Sequence, residues 1–126
     1  MIEFKNINLN INSFTDVNWM FGRALINKIS DERMEWSKKF AGVELDVDFL
    51  EMVDEKLNRD IRTLVFRVDA EDAEDFKKGY VAELSEALRA YFESRLSEVE
   101  ILANFGEYKN GDRRENYEIR IQVIRY

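Results

Sequence analysis

The sequence predicts a single α+β domain over residues 1–126, in which a mostly antiparallel sheet of about four strands carries helices on one face. Three observations predict it. Asn6–Asn12, Ile61–Asp69, Val99–Phe105 and Tyr117–Val123 alternate apolar and polar residues with the period of a half-buried strand. Asp69–Leu96 places Phe76, Tyr80, Val81, Leu84, Ala87, Leu88, Tyr91 and Phe92 on one helical stripe. Asn110-Gly111, between the last two alternating runs, is a hairpin signal.

The elements follow in order. Ile7, Leu9 and Ile11 point one way from the first strand, and Asn6, Asn8, Asn10 and Asn12 the other; a bend near Lys5 brings Ile2 and Phe4 out of phase. Ser13 and Asp16 have helix-capping spacing. Val17, Met20, Phe21, Ala24, Leu25 and Ile29 then form the stripe of a first helix, with Trp19 and Ile26 on its other side. Ser30-Asp31-Glu32 reads as a fresh helix start, Trp36 and Phe40 share a face, and Ala41-Gly42 is a stop. Val43, Leu45 and Val47 give an extended entry to a third helix, Phe49–Arg59. Strand Ile61–Asp69 aims Leu64, Phe66 and Val68 at the core, and the long helix follows. In the closing hairpin, a three-residue loop at Asn110-Gly111-Asp112 sets Phe105 opposite Tyr117 and Ala103 opposite Ile119, which keeps apolar residues on one face. The expected order is β-α-α-α-β-α-β-β, with a polar outer sheet face.

Composition excludes several function classes. Nineteen Lys and Arg against 26 Asp and Glu give a net charge of −7, which disfavours direct contact with a nucleic-acid backbone. Cysteine and histidine are absent, so thiol chemistry, disulfides, the usual zinc sites and Ser-His or Cys-His nucleophiles are excluded. The five glycines are isolated, so no phosphate-cradling loop exists. No apolar run spans a bilayer and no secretory leader is read at the start, so the expected setting is the host cytoplasm or a virion. The chain is read as non-enzymatic, with no catalytic residue, cofactor or metal assigned.

Two sets of residues are candidate surfaces. Glu44, Asp46, Asp48, Glu51, Asp54 and Glu55 lie together without a base between them. Oxygen ligands suit Mg²⁺ or Ca²⁺, but no calcium-loop glycine follows; mimicry of phosphates and plain helix-start acids are the other readings. Asp69, Glu71, Asp72, Glu74 and Asp75 form a second acidic run. The candidate partner surface comprises Trp19 and Ile26 off the core side of the first helix, with Arg120 and Arg125 on the polar face of the last strand.

The half from Arg59 to Tyr126 carries a resemblance. Leu64-Val65-Phe66 precedes an acidic start and a long helix; Ala87-Leu88-Arg89-Ala90-Tyr91 leads to Glu93-Ser94-Arg95-Leu96; a hairpin ends in Tyr117-Glu118-Ile119-Arg120-Ile121. This order resembles the small baseplate wedge, or sheath-initiator, family of contractile phage tails. In that family the helix ends in Glu-Pro-Arg, where this chain has Glu93-Ser94-Arg95, and a glycine expected before the Leu-Phe segment is missing here. The resemblance implies a virion assembly component whose partners are other proteins, either virion subunits or further copies, with no nucleic acid and no membrane. The alternative expectation is an acidic antagonist, an immunity or anti-defence protein covering a basic surface.

Overall fold

The structure, a computed structural model, describes residue 4 and residues 7–36, 43–70, 75–107 and 115–126. Helix α1 spans Trp19–Trp36, strands β1 and β2 span Val43–Asp54 and Arg59–Ala70, helix α2 spans Asp75–Arg95, and strands β3 and β4 span Glu100–Glu107 and Glu115–Arg125. A short 3-10 turn, Phe14–Asp16, precedes α1. The four strands form one antiparallel sheet in the order β1-β2-β4-β3. The chain therefore runs helix–hairpin twice, and the inner strands of the two hairpins pair. The α+β class, the helices on one face and the terminal hairpin are as the sequence predicts.

The order differs in three places. The alternating segment Ile7–Asn12 is not a strand. It keeps its period, with Ile7 and Ile11 buried and Asn8, Asn10 and Asn12 exposed. Its backbone is met by side chains rather than by a ladder: the Ile7 carbonyl accepts from the Tyr91 hydroxyl (3.2 Å) and from Arg95 Nη2 (2.8 Å). Burial pushes the Tyr91 hydroxyl above its ordinary pKa. Next, α1 runs unbroken through Ser30-Asp31-Glu32. Its cap is Asn18, whose Oδ1 accepts the Phe21 amide at 2.9 Å. The Ser13–Asp16 pair instead closes the 3-10 turn, Asp16 Oδ2 accepting the amides of Asn12 (2.9 Å) and Ser13 (3.0 Å). Third, no helix follows Phe49: the strand alternation of Val43, Leu45 and Val47 continues, and β1 reaches Asp54 because β2 pairs with it along its whole length. The bend at Lys5, the Phe40 and Ala41-Gly42 stop, the acids Glu71, Asp72 and Glu74, and the loop Asn110-Gly111-Asp112 lie outside the described residues.

Directly opposed residues share a sheet face. One face carries Leu45, Val47 and Phe49 of β1, Leu64, Phe66 and Val68 of β2, Tyr117, Ile119, Ile121 and Val123 of β4, and Ile101 and Ala103 of β3. Both helices pack there, together with Phe4, Ile7, Ile11, Phe14 and Val17. The buried stripe of α1 is Phe21, Leu25, Ile26 and Ile29; Met20 is outside it, 76% exposed. Gly22 lets α1 approach closely, since a Cβ there would lie 3.0 Å from Leu64 Cδ2 and 3.1 Å from Val47 Cγ2. Phe21 meets Phe92 edge-on, ring centres 5.6 Å apart, and so joins α1 to α2. The hairpin register moves by two residues from the expected one: Phe105 lies opposite Ile119 and Ala103 opposite Ile121. An even shift leaves every side chain on its expected face.

Candidate interaction surface

The other sheet face is open: no described helix packs on it. Its residues form rows across the strands. Met52, Ile61, Ile124 and Glu100 make one row; Leu50, Thr63, Gln122 and Leu102 the next; then Asp48, Val65, Arg120 and Asn104; then Asp46, Arg67, Glu118 and Gly106. The face is therefore divided, and the expected uniformly polar face is corrected. At one end Ile61, Val65 and Ile124 are buried although no described helix or strand lies over them. The flanking Leu50, Met52 and Leu102 are 52%, 53% and 40% exposed. An apolar cluster with an uncovered rim is the pattern of a contact surface.

The other end is a ladder of alternating charge. Arg67 Nη2 lies 2.9 Å from Asp48 Oδ2, and its Nε lies 3.9 Å from Glu118 Oε1; Arg120 Nε lies 3.5 Å from Glu118 Oε2. At the outer edge of the sheet Asp46 folds back on its own strand. Its Oδ1 accepts the Val47 backbone amide (2.9 Å) and Arg23 Nη1 of α1 (3.3 Å).

The acidic segment is thus an edge strand rather than a helix start. Its bases come from neighbouring elements: Asp46 pairs with Arg23, Asp48 with Arg67, Glu51 with Arg62 (3.5 Å) and Asp54 with Arg59 (3.1 Å). Alternation sends Glu44, Asp46, Asp48 and Asp54 to the open face and Glu51 to the helix side, while Glu55 lies in the connecting turn. Among the described residues no group of three or more carboxylates is arranged to hold a metal ion.

The four residues expected to make a partner surface are not brought together. Trp19 is half-exposed at the start of α1, with the Arg23 guanidinium 5.9 Å from its ring centre. Ile26 is corrected to a core position, because the buried stripe of α1 is broad enough to include it. Arg120 lies on the open face. Arg125 has the opposite parity and points to the helix side, where it pairs with Asp60 (2.8 Å) and stacks on Phe14 (4.4 Å). Arg62 reaches the same ring (5.1 Å) and donates to the carbonyls of Thr15 and Val17, both at 3.0 Å. These two arginines anchor the 3-10 turn to the sheet.

Sequence reasoning missed Leu50 and Met52 by assigning them to a helix. The signal was present in Val43, Leu45, Val47 and Phe49, whose alternation does not stop at Asp48. It also passed over Ile61 and Val65, although the run Leu64-Val65-Phe66 is apolar on both parities, as a central strand is.

No protein-family model, curated protein or solved structure matches the chain. No described helix is long and apolar enough to cross a membrane.

Proposed function

We propose that this chain is a non-enzymatic assembly subunit, a tail or baseplate component of a phage or phage-like particle, that works by protein–protein contact through the open face of its sheet. The observation that carries the reading is the apolar end of that face, over which no described element lies and where the exposed Leu50, Met52 and Leu102 flank the buried Ile61 and Ile124. Burying such a rim on a partner contributes about 25 cal/mol per Å² of apolar area. The charge ladder beside it fixes orientation, since complementary charge favours register over raw affinity. The acidic-antagonist alternative draws on the net charge of −7, but four of the six acids of β1 and its turn already sit within reach of arginines.

The test is the double variant Leu50→Arg/Met52→Arg expressed in place of the native chain. Both positions are exposed, so melting should change little. Particle yield should collapse, and the variant should be absent from purified particles. Normal particles containing the variant would overturn the reading.

A further inference from the structure

The two outer strands of the sheet are built differently. β1 is guarded: the Asp46 carboxylate occupies the Val47 amide, Arg23 bridges to it from α1, and acids recur along the strand. Pairing β1 with a second β1 about this half would set Asp46 opposite Asp48, a like-charge contact. β3 has none of these devices. Between Glu100 and Glu107 its sequence is Ile-Leu-Ala-Asn-Phe-Gly, without a charge or a proline. Leu102 and Phe105 are 40% and 44% exposed, and no described strand pairs with its outer side. An unguarded apolar edge is a template for strand pairing.

We propose that two copies of this chain join antiparallel along β3, making one continuous eight-stranded sheet. The register follows from the strand itself. Opposed residues must share a face, so the paired numbers must have equal parity. The two central registers of that kind differ in what meets Ile101. One places Glu107 there; the other places Phe105. In the second, Ala103 meets its own copy, Leu102 meets Asn104, and Glu100 meets Gly106, whose open side has no atom near a would-be Cβ. No like charges oppose each other, and the exposed Phe105 ring gains an apolar partner. The contact is isologous and closes at two copies, since each β3 edge is used once. This inference stands on the β3 edge and does not depend on the reading of the open face.

Sedimentation equilibrium on the full chain tests it. The mass should rise from 15.0 kDa toward twice that value across the micromolar range. Phe105→Lys should weaken association at least tenfold with melting nearly unchanged, while Leu50→Lys on the open face should leave association intact. The register has its own test, because the chain holds no cysteine. Leu102→Cys and Asn104→Cys proteins, mixed and oxidised, should cross-link in the mixture and not separately. A monomer at every concentration, a dimer that survives Phe105→Lys or is lost in Leu50→Lys, or equal cross-linking in the separate proteins would overturn the proposal. If Phe105→Lys fails to fold, the cross-linking pattern decides alone.

Discussion

Replacing Gly22 by alanine probes the seating of α1 on the sheet. In an exposed helix interior the change stabilises by about 1 kcal/mol, since alanine is the better helix former. At Gly22 the new methyl would stand 3.0 Å from Leu64 Cδ2 and 3.1 Å from Val47 Cγ2. Carbon contacts are most favourable at about 3.5–4.0 Å, so the shortfall is about 0.5 Å or more on two sides. Leu64 is fully buried and Val47 nearly so, so both would have to shift within a close-packed core. Overpacking of this kind costs about 1–3 kcal/mol. The net expectation is a loss of up to about 2 kcal/mol. Gly79 supplies the control: it lies in α2 with nothing within 4 Å of a would-be Cβ, so Gly79→Ala should gain the propensity term alone. The propensity terms cancel between the two variants, and their difference reads the packing, about 1–3 kcal/mol. Urea unfolding measures it, provided the slope is equal in all three proteins. Equal stabilisation by both alanines would refute the close approach of α1 to β1 and β2.

Three further outcomes are expected. Arg62→Met should destabilise by about 2–3 kcal/mol in the same assay, because the Thr15 and Val17 carbonyls lose their donor, whereas Glu51→Gln should cost under about 1 kcal/mol. Asp16, held below the ordinary carboxylate pKa by the Asn12 and Ser13 amides, stabilises the fold at pH values above the unfolded pKa, near about 4. That contribution is lost as pH falls through the lower folded value, so the stability gap between wild type and Asp16→Asn should be constant near neutrality and shrink in acid. Millimolar Mg²⁺ or Ca²⁺ should leave melting unchanged, given the arginine partners of Asp46 and Asp48; a rise that disappears in Asp46→Lys/Asp48→Lys would establish a carboxylate metal site.

Local alternation and helical stripes were legible wherever one face is dry and the other wet. Tyr80, Val81, Leu84, Leu88, Tyr91 and Phe92 are buried along α2, and the hairpin faces are right even though its register moved. What could not be read was the partner of each segment. Ile7, Leu9 and Ile11 alternate as well as any strand, yet alternation reports only one-sided burial, and a side-chain clamp at the Ile7 carbonyl serves in place of a ladder. Phe49, Leu50, Val53 and Leu57 fit a helix as readily as Val43 to Phe49 fit a strand; the tie is broken by β2, whose pairing with β1 no local window contains. The open face was illegible for the same reason. Leu50, Ile61, Val65 and Ile124 are dispersed in sequence and adjoin only once the register is set.

The repeated helix–hairpin order explains both the displaced first segment and the open face. α1 lies over β1, and α2 over β3 and β4, so each helix covers its own outer strand. The two helices meet at Phe21 and Phe92. Phe4 and residues 7–17 pack on the same side: Phe4 meets Tyr91 edge-on, Phe14 sits beneath the Arg62 and Arg125 guanidiniums from β2 and β4, and Val17 is fully buried. Ile7 and Ile11 drop into the same core. The alternating segment therefore contributes core side chains rather than a fifth strand, and all the described covering elements lie on one face. Nothing described remains for Leu50, Met52 and Leu102 on the other. Their exposure follows from the topology, and so substitutions there should be readable as loss of partner contact rather than loss of fold.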